Sequence, residues 1–406
     1  MEQNLDLNVL ALQAEKELAD IFAGIDRVSF INTQKVLDAF REERVQESFF
    51  AHTTGYGYDD QGRDALDRIY ARVFGTESAI VRPHIVNGTN ALTIGLFGLL
   101  RPGDTLLSVT GKPYDTLDDV IGLSGEGMGS LKDFGVNYKQ VELGEDFMPY
   151  LDEKVKVVYI QRSKGYMARP TLNVTQINEI VDKVHANSNA FVFLDNCYGE
   201  FTETEEPRAD LFAGSLIKNP GGGMAECGGY LAGSAKAVEL ASYRLTQPGT
   251  GAEVGASLDQ NRNMYRGFFM APHITAQALK TAHFAAYIFG HMGFEVLPKW
   301  DEKRYDIIQT VKLDSPEGLI AFCEGIQFAS PVDSFVSPIP DAMPGYADKI
   351  IMAAGAFVQG SSIELSADGP LKPPYTAYMQ GGLTYEAGKI GILSAAKRVY
   401  EKVMNK

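Results

Sequence analysis

Asp195 and Lys218 are the two residues of this sequence whose types and spacing best fit a defined chemistry. Asp195 ends the apolar run 191–195, and Lys218 follows the apolar run 211–217. Such runs are typical of buried parallel strands, and open parallel sheets bind ligands at the carboxyl ends of their strands. A desolvated lysine there can form a Schiff base with a carbonyl compound, and a nearby carboxylate can keep a pyridine nitrogen protonated. The structural alternative is a strand tipped by a helix-capping Asp, with a surface Lys before the glycines of 221–223.

Two further segments carry residues suited to the same edge of a sheet. Gly88, Thr89 and Asn90 stand at the predicted start of a helix that runs to Leu100. Backbone N–H groups at a helix start bind phosphate, although Thr and Asn are also common N-cap residues. Tyr114 lies in a loop after the predicted strand 105–109, so we expect it at the carboxyl edge of the sheet.

Composition and charge narrow the class of protein. The chain has 406 residues, enough for one large α/β domain and a smaller one, and a formal net charge of −15. This charge argues against nucleic acid or an anionic membrane as partner. We find no apolar run of membrane-spanning length, no basic signal-peptide flank and no cysteine or histidine cluster with metal-site spacing. The sequence therefore predicts a cytoplasmic protein without a metal site.

The order of elements predicts an α/β fold with a mostly parallel central sheet, because strands alternate with helices through the middle of the chain. Strands are expected at 79–81, 105–109, 154–161, 191–195, 211–217 and 228–232. The N-terminus is predicted to be helical from about Leu5 to Val45, with an interruption at 27–32. After Phe294 we expect a smaller α+β domain with strands at 306–313, 349–357, 362–367 and 375–380. The predicted division is a helical arm at 1–48, a large domain at 49–285 and a small domain at 286–406.

The joint order of these signals resembles pyridoxal-phosphate (PLP) enzymes of the aspartate-aminotransferase-type fold, fold type I. Over its whole length the chain is similar to the cystathionine/methionine γ-lyase branch, and within it to the aluminium-resistance-protein family, described as cystathionine β-lyases. The blocks that carry the resemblance are HTTGYGYDDQGRDALDRIYARVFG, VNGTNAL, FLDNCYGEF, SLIKNPGGG and YMQGGLTYE.

The resemblance implies a role for each candidate residue. Lys218 would form the Schiff base with PLP and then act as acid and base at the substrate α-carbon. Asp195 would pair with the pyridinium nitrogen, and Tyr114 would stack on the ring. Tyr56 would reach the phosphate of a neighbouring subunit, which implies a homo-oligomer, dimer or tetramer, with shared active sites. The implied phosphate ligands are Gly88, Thr89 and Ser215, with Asn90 as a helper.

One departure from the related lyases concerns the substrate carboxylate. Those lyases carry an Arg-Leu-Ser segment near the C-terminus, whereas the matching residues here are Glu364-Leu365-Ser366. The cation that binds the carboxylate is then missing or supplied elsewhere. Arg162 and Lys372 are the candidates to replace it, and the alternative for each is a surface charge without a role in binding. A lysine would bind the carboxylate less well because it lacks the bidentate fork of arginine.

Three functions remain open on the sequence. The first is a PLP-dependent carbon–sulfur lyase that acts by elimination on a small amino acid resembling cystathionine, cysteine or methionine. The second, motivated by Glu364, keeps PLP but changes the reaction to an aldolase, a racemase or another side-chain elimination. The third is a non-catalytic protein that acts in metal tolerance by binding metal. The acidic surface could bind a hard cation through carboxylate oxygens, but the sequence has no ligand cluster with metal-site spacing.

Overall fold

The computed structural model describes residues 6–343 and 348–404. The chain divides into two compact units, one formed by Asn32–Phe269 and the other by Met1–Ile31 together with Met270–Lys406. The expected domain boundaries at residues 48 and 285 stay a prediction. The expected helix start at Leu5 lies outside the described residues.

The described residues form helices and strands in an alternating order through the first unit. The helices are α1 (Leu7–Glu17), α2 (Ala19–Glu42), α3 (Gln61–Phe74), α4 (Gly88–Leu99), α5 (Asp118–Ile121), α6 (Val174–His185), α7 (Ala235–Leu245), α8 (Asn261–His291), α9 (Pro316–Phe328) and α10 (Tyr385–Val399). The strands are β1 (Ser78–Arg82), β2 (Thr105–Ser108), β3 (Asn137–Gln140), β4 (Val155–Gln161), β5 (Phe191–Asp195), β6 (Leu211–Ser215), β7 (Gly229–Gly233), β8 (Glu295–Leu297), β9 (Gln309–Lys312), β10 (Ile350–Ala353), β11 (Ser366–Pro370) and β12 (Thr376–Gln380). No helix in 6–343 or 348–404 combines the length and the apolar character needed to cross a membrane.

The unit Asn32–Phe269 contains a 7-stranded sheet with the order β1-β7-β6-β5-β4-β2-β3. The pairs from β6 through β3 are parallel, and only β7 runs against its two neighbours. The predicted α/β fold with a mostly parallel sheet is therefore confirmed. β5 occupies the centre of the sheet, where paired strands and covering helices bury both of its faces, which explains its unbroken apolar run.

An apolar core fixes α4 on this sheet and thereby places the start of the helix. Leu92 and Leu96 of α4 belong to the same buried cluster as Phe193 of β5 and Leu211 of β6. Since α4 is apolar on most of its surface, it packs as a buried helix. Its first turn then lies near the strand ends.

The second unit contains a 5-stranded antiparallel sheet with the order β10-β11-β12-β9-β8. Its core joins this sheet to apolar residues of α1, α9 and α10, which confirms the predicted smaller α+β fold. The strand expected at 362–367 is wrong, because strand β11 begins only at Ser366. Before it, the Glu364 carboxylate accepts hydrogen bonds from the backbone N–H groups of Phe357 (2.9 Å) and Val358 (3.0 Å), which closes 357–364 into a loop.

The predicted interruption of the N-terminal helix at 27–32 is also wrong. α2 continues through these residues, and the break falls at Leu18 instead. Within the first unit, the Asn32 side chain donates hydrogen bonds to the carbonyl oxygens of Phe201 (3.3 Å) and Glu203 (2.9 Å). A polar residue that weakens a helix by propensity alone thus gains two tertiary hydrogen bonds through its side-chain NH2 group.

Candidate active site

The candidate site lies at the carboxyl edge of the large sheet. Asp195 is the last residue of β5, in register with Gln161 on β4 and Ala213 on β6. Ser215 is the last residue of β6, and Lys218 follows in the next turn. Because these strands are parallel, their carboxyl ends bring the acid, the hydroxyl and the lysine to one edge.

Gly88, at the start of α4, faces the residues that follow β5 and β6. A Cβ atom placed on Gly88 would lie 3.3 Å from Sγ of Cys197, 3.4 Å from Cβ of Ser215 and 3.8 Å from Nζ of Lys218. A Cβ atom at this position would press on Cys197 and reach van der Waals contact with the lysine amine. The structure therefore brings Gly88, Ser215 and Lys218 together, as the sequence predicted for a cofactor site.

Ser215 carries a buried hydroxyl that no described residue satisfies. Its Oγ is shielded from solvent and has no hydrogen-bond partner, a costly state for a polar atom in a protein interior. It lies beside the first turn of α4, where backbone N–H groups lack partners inside the helix. An unsatisfied hydroxyl next to a helix N-terminus fits an anionic oxygen ligand such as a phosphate.

Thr89 and Asn90 make local contacts that shape the turn into α4. The Thr89 hydroxyl lies 2.8 Å from the Thr116 hydroxyl. The Asn90 side chain accepts a hydrogen bond of 3.1 Å from the backbone N–H of Val86, and Asn87 caps the helix by accepting from Asn90 N at 2.8 Å. Asn90 thus stabilises the loop that leads into the helix.

Lys218 is partly buried, and its amine lies against an aromatic ring. Nζ is 4.1 Å from the centroid of the Tyr198 ring. Removal from water lowers the pKa of Lys218, but the neighbouring Cys197, Tyr198 and Asp195 more than offset this effect and raise the pKa above its ordinary value. The lysine of this structure is therefore an ammonium at neutral pH.

Asp195 is held in place by its own loop and by a neighbouring strand. Its Oδ1 accepts a hydrogen bond of 3.1 Å from Cys197 N, and its Oδ2 lies 3.4 Å from the Tyr159 hydroxyl. Burial, and then the charge of Asp195, raise the pKa of Tyr159 well above its ordinary value, so this phenol stays neutral. The result is a fixed carboxylate at the sheet edge, able to pair with a cation such as a protonated pyridine nitrogen.

Tyr114 follows β2 and is anchored to the adjacent strand β4. Its backbone N–H donates a hydrogen bond of 2.7 Å to Oε1 of Gln161, the last residue of β4. Its ring centroid lies 5.7 Å from that of Tyr166, with the planes tilted by 50°. The loop is thus fixed at the same edge of the sheet as Asp195.

The remaining candidates are already paired or exposed to solvent. Arg162 is fully buried and forms ion pairs with Glu203 (3.0 Å) and Glu206 (3.1 Å), which argues against a free cation for a substrate carboxylate. Lys372 belongs to the second unit, where its Nζ lies 2.6 Å from Asp348. Tyr56 is 69% exposed, and its ring stacks on that of Tyr58.

Sequence reasoning missed three residues at or near the site. Tyr198, under the lysine amine, has a φ of 72°, a left-handed conformation that is costly for a tyrosine and often marks a functional site. Glu200 is fully buried, and Lys164, just beyond β4, is only 1% exposed. Their position in the sequence could have identified these residues, because all three follow closely on a predicted strand end.

Comparisons with known proteins agree with this geometry. The sequence profile described as methionine gamma-lyase matches residues 7–400. The uncharacterized protein YnbB of Bacillus subtilis is 52% identical over 408 residues, which cover 98% of this chain and 97% of that protein. The solved structure of a carbon-sulfur lyase involved in aluminum resistance from Clostridium novyi has 53% sequence identity and a TM-score of 0.92, covering 96% of this chain and 95% of that one.

A more distant structure shows how far the fold extends. The pyridoxal-5'-phosphate-dependent protein YhfS from Escherichia coli has a TM-score of 0.61 at 14% identity, covering 94% of this chain and 97% of that one. At this identity the likeness shows the fold alone. Together the matches confirm the resemblance that the sequence blocks carry.

Proposed function

The chain belongs to the methionine gamma-lyase family, and we propose that it is a PLP-dependent carbon–sulfur lyase. Its substrate is an amino acid that resembles cystathionine, cysteine or methionine. The observation that carries the proposal is the convergence of the Lys218 amine, the unsatisfied Ser215 hydroxyl and the close-packed glycine at the start of α4, Gly88. The likeness to the carbon-sulfur lyase from Clostridium novyi supports the same reaction class.

Five residues would hold the cofactor. Ser215 and the first turn of α4, at Gly88 and Thr89, suit its phosphate. Asp195 would pair with its ring nitrogen, and Lys218 would form a Schiff base at its carbonyl carbon. When bound, PLP supplies an electron sink that stabilises negative charge at the α-carbon of an amino acid.

The protein's own groups would manage protons and orientation around the cofactor. The Lys218 amine would take the proton from the substrate α-carbon and return one later. The Asp195 carboxylate would keep the ring nitrogen of the cofactor protonated, because an opposite charge at short range favours the cationic form. Tyr114, fixed through Gln161, would limit the ring to one orientation.

The complete site would be shared between subunits of a cytoplasmic homo-oligomer, a dimer or a tetramer. The exposed ring of Tyr56 is the residue that would enter a neighbouring site. Tyrosine side chains are enriched at protein–protein interfaces relative to the rest of the surface.

A spectral titration tests the proposal. The full chain mixed with PLP should develop the visible absorbance of a lysine-bound cofactor, and Lys218→Ala should lose it. Lys236→Ala, which removes an exposed lysine paired with Glu239, should keep it. The loaded protein should then release pyruvate or 2-oxobutyrate from cystathionine, cysteine or methionine, and absorbance that survives in Lys218→Ala would contradict the assignment.

A second reaction type on the same cofactor is favoured by one observation. The Glu364 carboxylate is bonded to the backbone of 357–358, so the position where related lyases carry arginine holds an acid committed to a loop. An aldolase, a racemase or another side-chain elimination then becomes the alternative. Exchange of the α-proton in deuterated water, without keto-acid release from any sulfur amino acid, would favour this alternative.

A further inference from the structure

Glu200 is a buried carboxyl group to which the proposed reaction assigns no role. Its side chain is fully buried, and Oε1 accepts a hydrogen bond of 2.8 Å from the Tyr230 hydroxyl on β7. Oε2 has no hydrogen-bond partner among the described residues. A buried carboxyl with one open oxygen is costly unless it serves a purpose or remains protonated.

The position of Glu200 ties it to the segment that carries Lys218. A Cβ atom on Gly214 of β6 would lie only 2.5 Å from Oε1 of Glu200, so glycine is required there for the carboxyl to approach the strand. Asn219, the residue after Lys218, donates hydrogen bonds of 3.0 Å to the carbonyl oxygens of both Tyr198 and Glu200. The loop of Glu200 and the turn of Lys218 are thus joined directly.

The charges around Glu200 leave it without a cation of its own. Its carboxyl is influenced by Glu206, Tyr230 and Lys218, and it acts in turn on Tyr70 and Cys197. Glu206 is the one of these groups whose charge is already balanced, since Arg162 pairs with it at 3.1 Å. Lys218 is accordingly the cation whose protonation is coupled to that of Glu200.

Burial raises the pKa of Glu200 to about 8, and the charge of Glu206 acts in the same direction. The backbone N–H of Glu200 itself, the hydrogen bond from Tyr230 and the positive charge of Lys218 act against the rise, in that order. Glu200 therefore carries its proton at neutral pH and loses it in mildly alkaline solution. The ionisation of Glu200 thus falls within the pH range in which amines react with carbonyl compounds.

We propose that Glu200 is a positioning residue that controls the proton affinity of the Lys218 amine. While Glu200 is neutral, Lys218 releases its proton more readily than when Glu200 is ionised, so a larger fraction of the amine is nucleophilic. Once Glu200 is ionised, the added negative charge stabilises the ammonium form and slows the amine. The inference rests on the proposal that Lys218 binds the cofactor.

Reductive methylation of Lys218 tests this coupling without any cofactor. The cofactor-free full chain is treated with formaldehyde and a borane reductant across a pH series, and modification of Lys218 is quantified by peptide mass spectrometry. The ratio of the Glu200→Gln rate to the wild-type rate should be near one at about pH 6 and rise several-fold above about pH 8. Glu205→Gln, which removes an exposed carboxylate from the same loop, should show no such rise, and the modification of Lys236 serves as internal reference.

A second variant keeps the test decisive if Glu200→Gln does not fold. Tyr230→Phe removes the hydrogen bond that lowers the pKa of Glu200, so the pH at which the Lys218 rate flattens should move upward. Superimposable Lys218 profiles for wild type and either folded variant would overturn the inference. Failure of the wild-type chain to bind PLP would instead overturn the proposed function, and the methylation profile would still report the coupling.

Discussion

Nη1 of Arg162 lies 3.1 Å from Oε2 of Glu206, and the two side chains are 0% and 3% exposed. The same guanidinium pairs with Glu203 at 3.0 Å and donates to Asn196 at 2.9 Å. A buried cation shared by two carboxylates is costly to break, because removal of one partner leaves uncompensated charge. Arg162 is therefore bound within the first unit rather than open to a substrate.

Arg162→Met should lower the free energy of unfolding by about 3–5 kcal/mol, because it leaves Glu203 and Glu206 without their cation. Urea denaturation checks the value. Arg208→Met is the matched control, since it breaks a pair with Asp182 whose side chains are 64% and 61% exposed, and should cost less than about 1 kcal/mol. A variant as stable as wild type but with a strongly raised KM would show that Arg162 binds the substrate carboxylate after all.

Ser215→Ala should have opposite effects on cofactor affinity and on stability. Loss of the hydroxyl should weaken PLP binding by about tenfold, the effect of one hydrogen bond to a charged group. The cofactor-free protein should be as stable as wild type or more so, because Oγ of Ser215 is buried without a partner. Equilibrium dialysis and urea denaturation measure the two quantities.

Ser108→Ala provides the contrast to Ser215→Ala. The buried hydroxyl of Ser108, at the end of β2, donates a hydrogen bond to the carbonyl oxygen of Gly111 in the loop that follows. This variant should lose about 1 kcal/mol of stability and keep its cofactor affinity. Unchanged PLP affinity in Ser215→Ala would remove Ser215 from the proposed phosphate ligands.

The strand ends could be predicted from the sequence because their signals are local. The apolar run of β5 and its terminal Asp195 are visible in five consecutive residues, and the order of strands and helices indicates a parallel sheet. β3 and β8 were missed, because their short runs are polar or largely exposed. Such edge strands leave no apolar pattern.

The surroundings of the site could not be predicted, since they depend on contacts distant in sequence. Arg162 follows a strand end, the position expected of a cation that binds substrate. Only the fold shows that Glu203 and Glu206 already form ion pairs with it. The burial of Glu200 requires the close approach permitted by Gly214 and the hydroxyl of Tyr230. None of these pairings leaves a pattern along the chain.

Glu200 should make the stability of the protein depend on pH. Its pKa is raised from the ordinary value of 4.5 to about 8 in the folded state, so folding favours its protonated form. The contribution is complete below about pH 4.5 and is lost as the pH rises through about 8, by at most about 1.4 kcal/mol per pH unit. Urea denaturation should show this decline in the wild type but not in Glu200→Gln, and an equal decline in both would contradict the raised pKa.

Tyr56 and Lys218 should complement each other between subunits. Tyr56 is 69% exposed, and its ring stacks on that of Tyr58 at 5.5 Å. In the proposed function this residue reaches the active site of a second copy of the chain. Tyr56→Ala and Lys218→Ala should each be nearly inactive, but a mixed dimer contains one site with both residues intact. Equal amounts unfolded and refolded together should therefore regain about a quarter of the wild-type activity, since half of the dimers are mixed and each has one working site. A refolded mixture no more active than the average of its parents would show that Tyr56 serves only its own chain.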